Sequence, residues 1–170
     1  MDFYTVQHIL SLEKRIVDGD KLLDHDVISC AYPSKVRKHL KSVGDESYSF
    51  ILDINNSNKN KLKLTLHMQN KDDAYGIIRL DYGASGHVNP VEVNASVPEI
   101  FIPYAGKPVS GNHIHYYIPG YKSLSWAIPL EIDTFAVKKY TYSNIRDIVT
   151  EFFRKINLTT SISFLNTLGL

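Results

Sequence analysis

The sequence lacks features that would each point to a particular class of protein. It has a single cysteine, Cys30, so it cannot form an internal disulfide bond. It has no apolar run long enough to cross a membrane as a helix, and no basic leader followed by a cleavage site. We therefore expect a cytoplasmic protein that does not interact with a membrane.

An excess of charge of either sign is also missing, since 19 lysines and arginines stand against 18 aspartates and glutamates. A formal charge of +1 gives no general attraction to a polyanion, so binding to nucleic acid would require a local basic surface. This balance argues against a general nucleic-acid coat protein. No repeat or low-complexity tract divides the 170 residues, and we expect a single domain over 1–170.

The hydrophobic period changes along the chain from helical to strand-like and back to helical. Apolar residues at helical spacing predict helices over 4–17 and 143–158. The segments between them alternate apolar and polar residues and predict strands over 47–54, 61–69, 75–82, 113–118 and 124–130. We therefore expect an α+β fold, with an antiparallel sheet of about four to six strands and an N-terminal and a C-terminal helix packed on one face. The other face of the sheet would remain open.

The open face is predicted to collect cations, imidazoles and a phenol. Side chains two residues apart in a strand point to the same side of the sheet, so His113, His115 and Tyr117 of the segment GNHIHYY share one face. The same alternation on neighbouring strands would add Lys61, Lys63, Thr65, His67, Gln69, Arg79 and Asp81. Cations and imidazoles on one surface suit the binding of a phosphodiester.

Paired imidazoles beside an arginine suit the acid–base cleavage of RNA. One imidazole can take the proton of a ribose 2′-hydroxyl while another group donates a proton to the departing 5′-oxygen. We expect His113 and His115 to form this acid–base pair, with His87 in reserve. Arg79 would stabilise charge on the phosphate, and Asp81 would hold the tautomer and orientation of a histidine. This mechanism requires neither a metal ion nor a cofactor.

Further residues are candidates for binding the substrate. Gly83 and Gly86 allow the chain to turn sharply after a strand and to place His87 and Asn89 at the rim of the open face. Tyrosines can stack on the exposed bases of a single strand, and lysines can contact its phosphates. The predicted substrate-binding residues are Tyr117, Asn89, Lys61, Lys63 and His67.

Two other interpretations of the same residues remain open. His113 and His115, with His87 and Asp81, supply ligands for zinc or a harder divalent ion. A His-x-His pair needs a third ligand, however, and the sequence does not give the position of one. Taken singly, each histidine is also typical of an ordinary, partly buried strand residue.

The motifs RLDYG and GHVNP, followed by HIHYY and then WAIPL, resemble a small family of proteins from bacteria and mobile elements. Within it, the whole chain is similar in length and motif order to the phage-encoded type V-A anti-CRISPR endoribonucleases. This resemblance implies a partner, the type V-A CRISPR effector nuclease with its bound guide RNA, and a single-stranded segment of that RNA as substrate. It implies the cytoplasm of a bacterial host, and the motif positions carried over are Asp81, His87, Asn89, His113 and His115.

Two alternative functions follow from the same surface. The first is a non-enzymatic inhibitor that blocks the DNA-binding, PAM-recognition groove of the effector. The second is a toxin-type ribonuclease that acts on free RNA without any effector. Cleavage of the guide RNA distinguishes the first alternative from an endoribonuclease, and cleavage of naked RNA distinguishes the second.

Overall fold

The computed structural model describes residues 3–56 and 59–165 and shows a predominantly β structure with two short helices. The helices are α1 (Phe3–Ser11) and α2 (Ile145–Lys155). The strands are β1 (Lys14–Asp18), β2 (Lys21–Leu22), β3 (His25–Ile28), β4 (Lys35–Ser42), β5 (Ser49–Asn55), β6 (Leu64–Asn70), β7 (Gly76–Val88), β8 (Pro108–Tyr116), β9 (Trp126–Pro129) and β10 (Ser161–Phe164). Single 3₁₀ turns at Ile102–Tyr104 and Tyr142–Asn144 complete the described structure.

Eight of the strands form one antiparallel sheet in the order β2-β1-β4-β5-β6-β7-β8-β9. The remaining two, β3 and β10, pair with each other in parallel. The predicted α+β composition, with an antiparallel sheet and a helix near each end, is therefore confirmed in outline. The prediction of four to six strands was wrong, because the sheet also includes the polar strand β4 and the strand β1, which the sequence analysis had placed in the first helix.

One face of the large sheet and the two helices share a single apolar core. Leu52, Leu66 and Leu80 lie on successive strands and are fully buried. Ile9 of α1 and Phe152 of α2 are buried in the same cluster. Burial of this face against the helices directs the alternate side chains of β5, β6 and β7 to the opposite face, as the sequence pattern predicts.

A buried lysine fixes the ends of both helices beside β1. The Lys14 ammonium donates hydrogen bonds to the carbonyls of Ile9 (2.5 Å) and Leu12 (2.7 Å) at the end of α1. It also donates to the Ile156 carbonyl, immediately after α2, at 2.8 Å. Burial lowers the pKa of Lys14 to about 7, and the carbonyl partners offset part of the cost of removing the ammonium from water.

Strand β7 bends back over the polar face of its own sheet. Two glycines with positive φ, Gly83 (+62°) and Gly86 (+105°), lie in its second half, where the register with β8 shifts twice. At Gly83 a Cβ atom would lie 2.4 Å from the Leu62 carbonyl oxygen, so another residue would clash there. The bend brings the residues that follow Gly86 towards β9, although β8 lies between β7 and β9 in the sheet.

We call this bend of residues 83–89 over the sheet the curl of β7. The side-chain amide of Asn89 holds it against β9. Its Nδ2 donates to the carbonyls of Ala127 (2.8 Å) and Tyr104 (3.2 Å), and its Oδ1 accepts from the Ala127 amide (2.8 Å). The amide of Asn89 therefore pairs with the edge of β9 as a neighbouring strand would. As a consequence, β7, β8 and β9 enclose the side chains on their polar face.

The two helices of the described residues contain 9 and 11 residues, so neither could span a membrane.

We predict that Asn89→Ala lowers the free energy of unfolding by about 2–4 kcal/mol, because it leaves the buried backbone groups of Ala127 without partners. Urea denaturation followed by circular dichroism measures the change. Asn60→Ala, in an exposed turn, is the matched control and should cost about 1 kcal/mol or less. Equal losses in the two variants would contradict the role of Asn89 in closing the curl.

Candidate functional site

Cross-strand register brings the polar side chains of five strands into two adjacent rows. In each pair of neighbouring strands, residues directly opposite each other have side chains on the same face. The first row contains Arg37, Asp53, His67, Arg79 and His115, and the second contains Lys35, Asn55, Thr65, Asp81 and His113. The two rows form the polar face of the sheet.

Asp81 is the centre of the hydrogen-bond network on this face. Its Oδ2 accepts from Arg79 Nε at 2.6 Å, and its Oδ1 accepts from the Thr65 hydroxyl at 2.7 Å. The same Oδ2 lies 3.4 Å from Nε2 of His115 and 3.7 Å from Nε2 of His113. One carboxylate therefore faces two imidazoles and one guanidinium.

Backbone carbonyls fix the tautomers of both imidazoles. His113 Nδ1 lies 2.8 Å from the Gly111 carbonyl oxygen, and His115 Nδ1 lies 2.8 Å from that of Leu124. A carbonyl oxygen only accepts, so each Nδ1 carries the proton and donates it. Each neutral ring then presents an Nε2 lone pair, and Arg79 Nη2 donates to that of His115 at 2.8 Å. The tautomer role predicted for Asp81 thus belongs to the carbonyls.

A third imidazole lies against the first two. The ring centroid of His87 is 4.7 Å from that of His115, and the centroid of His113 is 4.8 Å from His115 on another side. His87 Nε2 donates to the Ser125 carbonyl oxygen at 2.6 Å, which leaves its Nδ1 as an acceptor. The bend of β7 places His87 there, as the glycines at 83 and 86 allow.

Burial and charge set the ionisation of the cluster. Burial opposes ionisation of Asp81, but the Arg79 guanidinium and the Thr65 hydroxyl hold the pKa of this carboxyl well below the usual range. Burial lowers the pKa of His115 to about 4 and also lowers that of His113. At neutral pH the site therefore combines a carboxylate and two neutral imidazoles with the Arg79 cation.

The two strand histidines are sealed from solvent. Their side chains are 1% (His113) and 0% (His115) exposed, and that of Asp81 is 7% exposed. Arg79, with 36% of its side chain exposed, lies between this buried group and the surface. The polar face is therefore not open at β8, contrary to the prediction from sequence, because the curl of β7 covers it.

A basic cleft opens on the other side of Arg79. It has a volume of about 390 Å³ and is lined by Lys35, Arg37, Asp53, Thr65, His67 and Arg79, among others. Arg37 makes two hydrogen bonds to Asp53, at 2.7 and 2.9 Å. Burial lowers the pKa of His67, and its Nε2 is buried without a hydrogen-bond partner among the described residues. The cleft therefore contains three cations, of which Arg37 is paired with Asp53, and a neutral imidazole.

The structure brings together some of the residues predicted from the sequence and separates others. Arg79, Asp81, His87, His113 and His115, the predicted catalytic group, form one cluster, and His67 lies beside Arg79 in the cleft.

Four of the predicted substrate-binding residues lie elsewhere. Tyr117 follows β8 and packs edge-on against Tyr75 in the core, with ring centroids 4.7 Å apart. Lys61 and Lys63 precede β6, which begins at Leu64 rather than at 61, and the Lys61 ammonium lies over the ring of Tyr32. Asn89 is buried and pairs with the backbone of Ala127 in β9.

Sequence reasoning missed three residues that line the cleft, namely Lys35, Arg37 and Asp53. Lys35 and Arg37 belong to β4, whose sequence KVRKHLKS is rich in lysine, which is uncommon in strands. The signal that could have identified them is the alternation of Val36 and Leu40 with the cations.

Asp81, His113 and His115 are also a possible ligand set for a metal ion, since one ligand atom from each lies within 4.8 Å of the others. The same three residues could therefore serve either to orient Arg79 or to hold a cation.

Comparison with known proteins gives one match. No curated protein matches the chain, and no solved structure matches it. A family model described as "Family of unknown function (DUF6978)" matches residues 3–158, which include every residue of the cluster and of the cleft. The chain therefore belongs to the DUF6978 family.

Proposed function

We propose that the chain is an endoribonuclease that binds and cuts RNA at the polar face of its sheet. The observation that carries this proposal is the convergence of Arg79, three imidazoles and Asp81 beside a basic cleft. We propose further that the substrate is the guide RNA of a type V-A CRISPR effector, in the cytoplasm of a bacterial host. That part depends only on the resemblance carried by the sequence motifs.

Arg79 is suited to bind the scissile phosphate. Its Nε and Nη2 groups donate to Asp81 and His115, which fixes the plane of the guanidinium. A guanidinium has five N–H groups, so others are left for phosphate oxygens on the side of the cleft. Lys35 and Arg37 extend the positive surface along the same cleft. This local charge supplies what the nearly neutral chain as a whole does not.

Burial of the strand histidines changes the roles in this proposal from those expected on sequence. His113 and His115 cannot reach a bound RNA from their sealed positions, so they act as positioning residues for Asp81 and Arg79. His87 is partly exposed, lies against His115 and has an acceptor Nδ1. We therefore assign it the role of general base for the 2′-hydroxyl, whose oxygen attacks the phosphorus while the departing 5′-oxygen takes a proton from water.

One observation favours a second function, which is binding without chemistry. Side-chain exposures of 1% for His113 and 0% for His115 are typical of residues that stabilise the fold. A basic cleft can bind phosphates without cutting RNA. In that case the protein would act by occupying a nucleic-acid groove of the effector.

We predict that the protein cuts guide RNA only when the effector holds it. Incubation with the guide-loaded effector should shorten the guide RNA on a denaturing gel, whereas naked guide RNA should remain intact. Cutting of naked RNA at the same rate would indicate the toxin-type ribonuclease instead. Loss of effector activity with the guide RNA intact would indicate the binding inhibitor, and an unaffected effector would remove both CRISPR-directed functions.

We predict different effects for substitution of His87, the assigned base, and of Arg79, the assigned phosphate-binding residue. His87→Gln should lower the cleavage rate about 10²–10⁴-fold, because it removes the base, while the Kd for RNA changes less than about threefold. Arg79→Lys should weaken binding as well, because it loses the planar fork. Single-turnover cleavage and fluorescence anisotropy measure the two quantities.

The matched control is His8→Gln, an exposed histidine on α1, which should cut at the parent rate. Thermal unfolding of each variant shows whether the fold is retained. A folded His87→Gln variant that cuts like the parent would remove His87 from the mechanism.

A further inference from the structure

We propose that Asp81, His113 and His115 form a binding site for one divalent transition-metal ion, and that the Arg79 guanidinium competes with the ion for these ligand atoms. The inference goes beyond RNA cleavage, since metal binding is a property of the protein alone.

The hydrogen bonds of His113 and His115 leave a lone pair on Nε2 of each ring. Both Nδ1 atoms donate to backbone carbonyls, so both Nε2 atoms are acceptors, and both lie within 3.7 Å of the Asp81 carboxylate. Three acceptor groups that face one point repel one another unless a positive charge lies among them. The group therefore needs a cation, which the Arg79 guanidinium supplies here and which a metal ion would supply in its place.

The distances suit a metal ion. Ligands at about 2.0–2.1 Å from one tetrahedral ion lie about 3.3–3.4 Å from each other. The separations from Asp81 Oδ2 are 3.4 Å to His115 Nε2 and 3.7 Å to His113 Nε2. All three ligand atoms lie within 4.8 Å of one another, so binding of an ion would draw them together.

The residues around the ligands match those that usually orient metal-binding side chains. Imidazoles that bind metals through one nitrogen typically donate the other N–H to a carbonyl or carboxylate. Gly111 and Leu124 provide the two carbonyls, and the Thr65 hydroxyl donates to the second oxygen of Asp81. Each ligand is thus held by a second hydrogen bond, with its metal-binding atom within 4.8 Å of the other two.

The donor set selects the class of ion. Two imidazoles and one carboxylate suit zinc, cobalt, iron(II) or manganese(II), with positions left for water or a substrate oxygen. Magnesium and calcium prefer sets made wholly of oxygen. Arg79 contacts Asp81 Oδ2 and His115 Nε2, so an ion can bind both atoms only when the guanidinium moves.

Displacement of Arg79 would connect this site to the proposed function. The guanidinium would turn into the cleft, where phosphate is proposed to bind, and that consequence depends on the proposed function. Metal binding itself does not, because it is measured without RNA.

The test is titration of the full-length protein with Co²⁺, after removal of metal with a chelator, followed by the visible absorption of the bound ion and by calorimetry. One ion per chain is expected. His113→Gln and His115→Gln should each weaken the affinity at least about 100-fold, since even partners of metal ligands change it 10–100-fold. The exposed His8→Gln and His25→Gln are matched controls and should bind like the parent.

Arg79→Gln separates the proposal from a purely structural role of the cluster. Without the competing guanidinium, Co²⁺ should bind at least about tenfold more tightly, and should raise the thermal unfolding temperature more than it does in the parent. This variant also keeps the test valid if the histidine variants fail to fold.

Three outcomes would overturn the inference. These are the absence of stoichiometric binding in both the parent and Arg79→Gln, unchanged affinity in the folded histidine variants, or unchanged affinity in Arg79→Gln. A protein that binds Co²⁺ but cuts no RNA would contradict the proposed function and leave this inference standing. RNA cleavage without metal binding would contradict this inference and leave the proposed function standing.

Discussion

The charge of the buried Asp81 carboxylate is the constraint on which the site depends. A carboxylate removed from water costs several kcal/mol unless paired and hydrogen-bonded groups replace its solvation. Arg79 and Thr65 provide that replacement, because Arg79 lies two residues before Asp81 on the same face of β7 and the β6–β7 register places Thr65 opposite Asp81. A shift of one residue in either pairing would direct Asp81 into the apolar core. The arrangement of the polar face and the pairing of the strands therefore support each other.

The curl of β7 determines what this face can do. A flat sheet would leave His113 and His115 in water, where their imidazoles would be free to exchange protons with a substrate. The bend at Gly83 and Gly86, closed by Asn89 on β9, instead encloses them and lowers their pKa values. The result is two neutral imidazoles of fixed tautomer beneath a partly exposed arginine. Such groups are better placed to hold a cation than to reach a substrate.

Alternation in the sequence predicted which residues of β6, β7 and β8 share a face, because each of these strands has one side buried in the core. It therefore grouped Arg79, Asp81, His113 and His115 correctly. It missed the cations of β4, since its many lysines weaken the strand signal. It also missed the enclosure of the histidines, because the closure of β7 on β9 depends on a contact between residues 38 positions apart. The glycines showed that a bend was permitted, but its direction depends on tertiary structure.

Arg79 connects the buried group to the cleft, and its position links the two kinds of binding. In the proposed function, a phosphate in the cleft would bind the remaining N–H groups of Arg79 and draw the guanidinium away from the Asp81 carboxylate. A divalent ion at Asp81, His113 and His115 would supply the missing charge and in turn release Arg79 for the phosphate. Each ligand would thus lower the cost of binding the other, and by thermodynamic linkage the gain in affinity would be equal for both. Arg79, which contacts both the buried group and the cleft, is therefore the side chain through which the histidines can affect the surface.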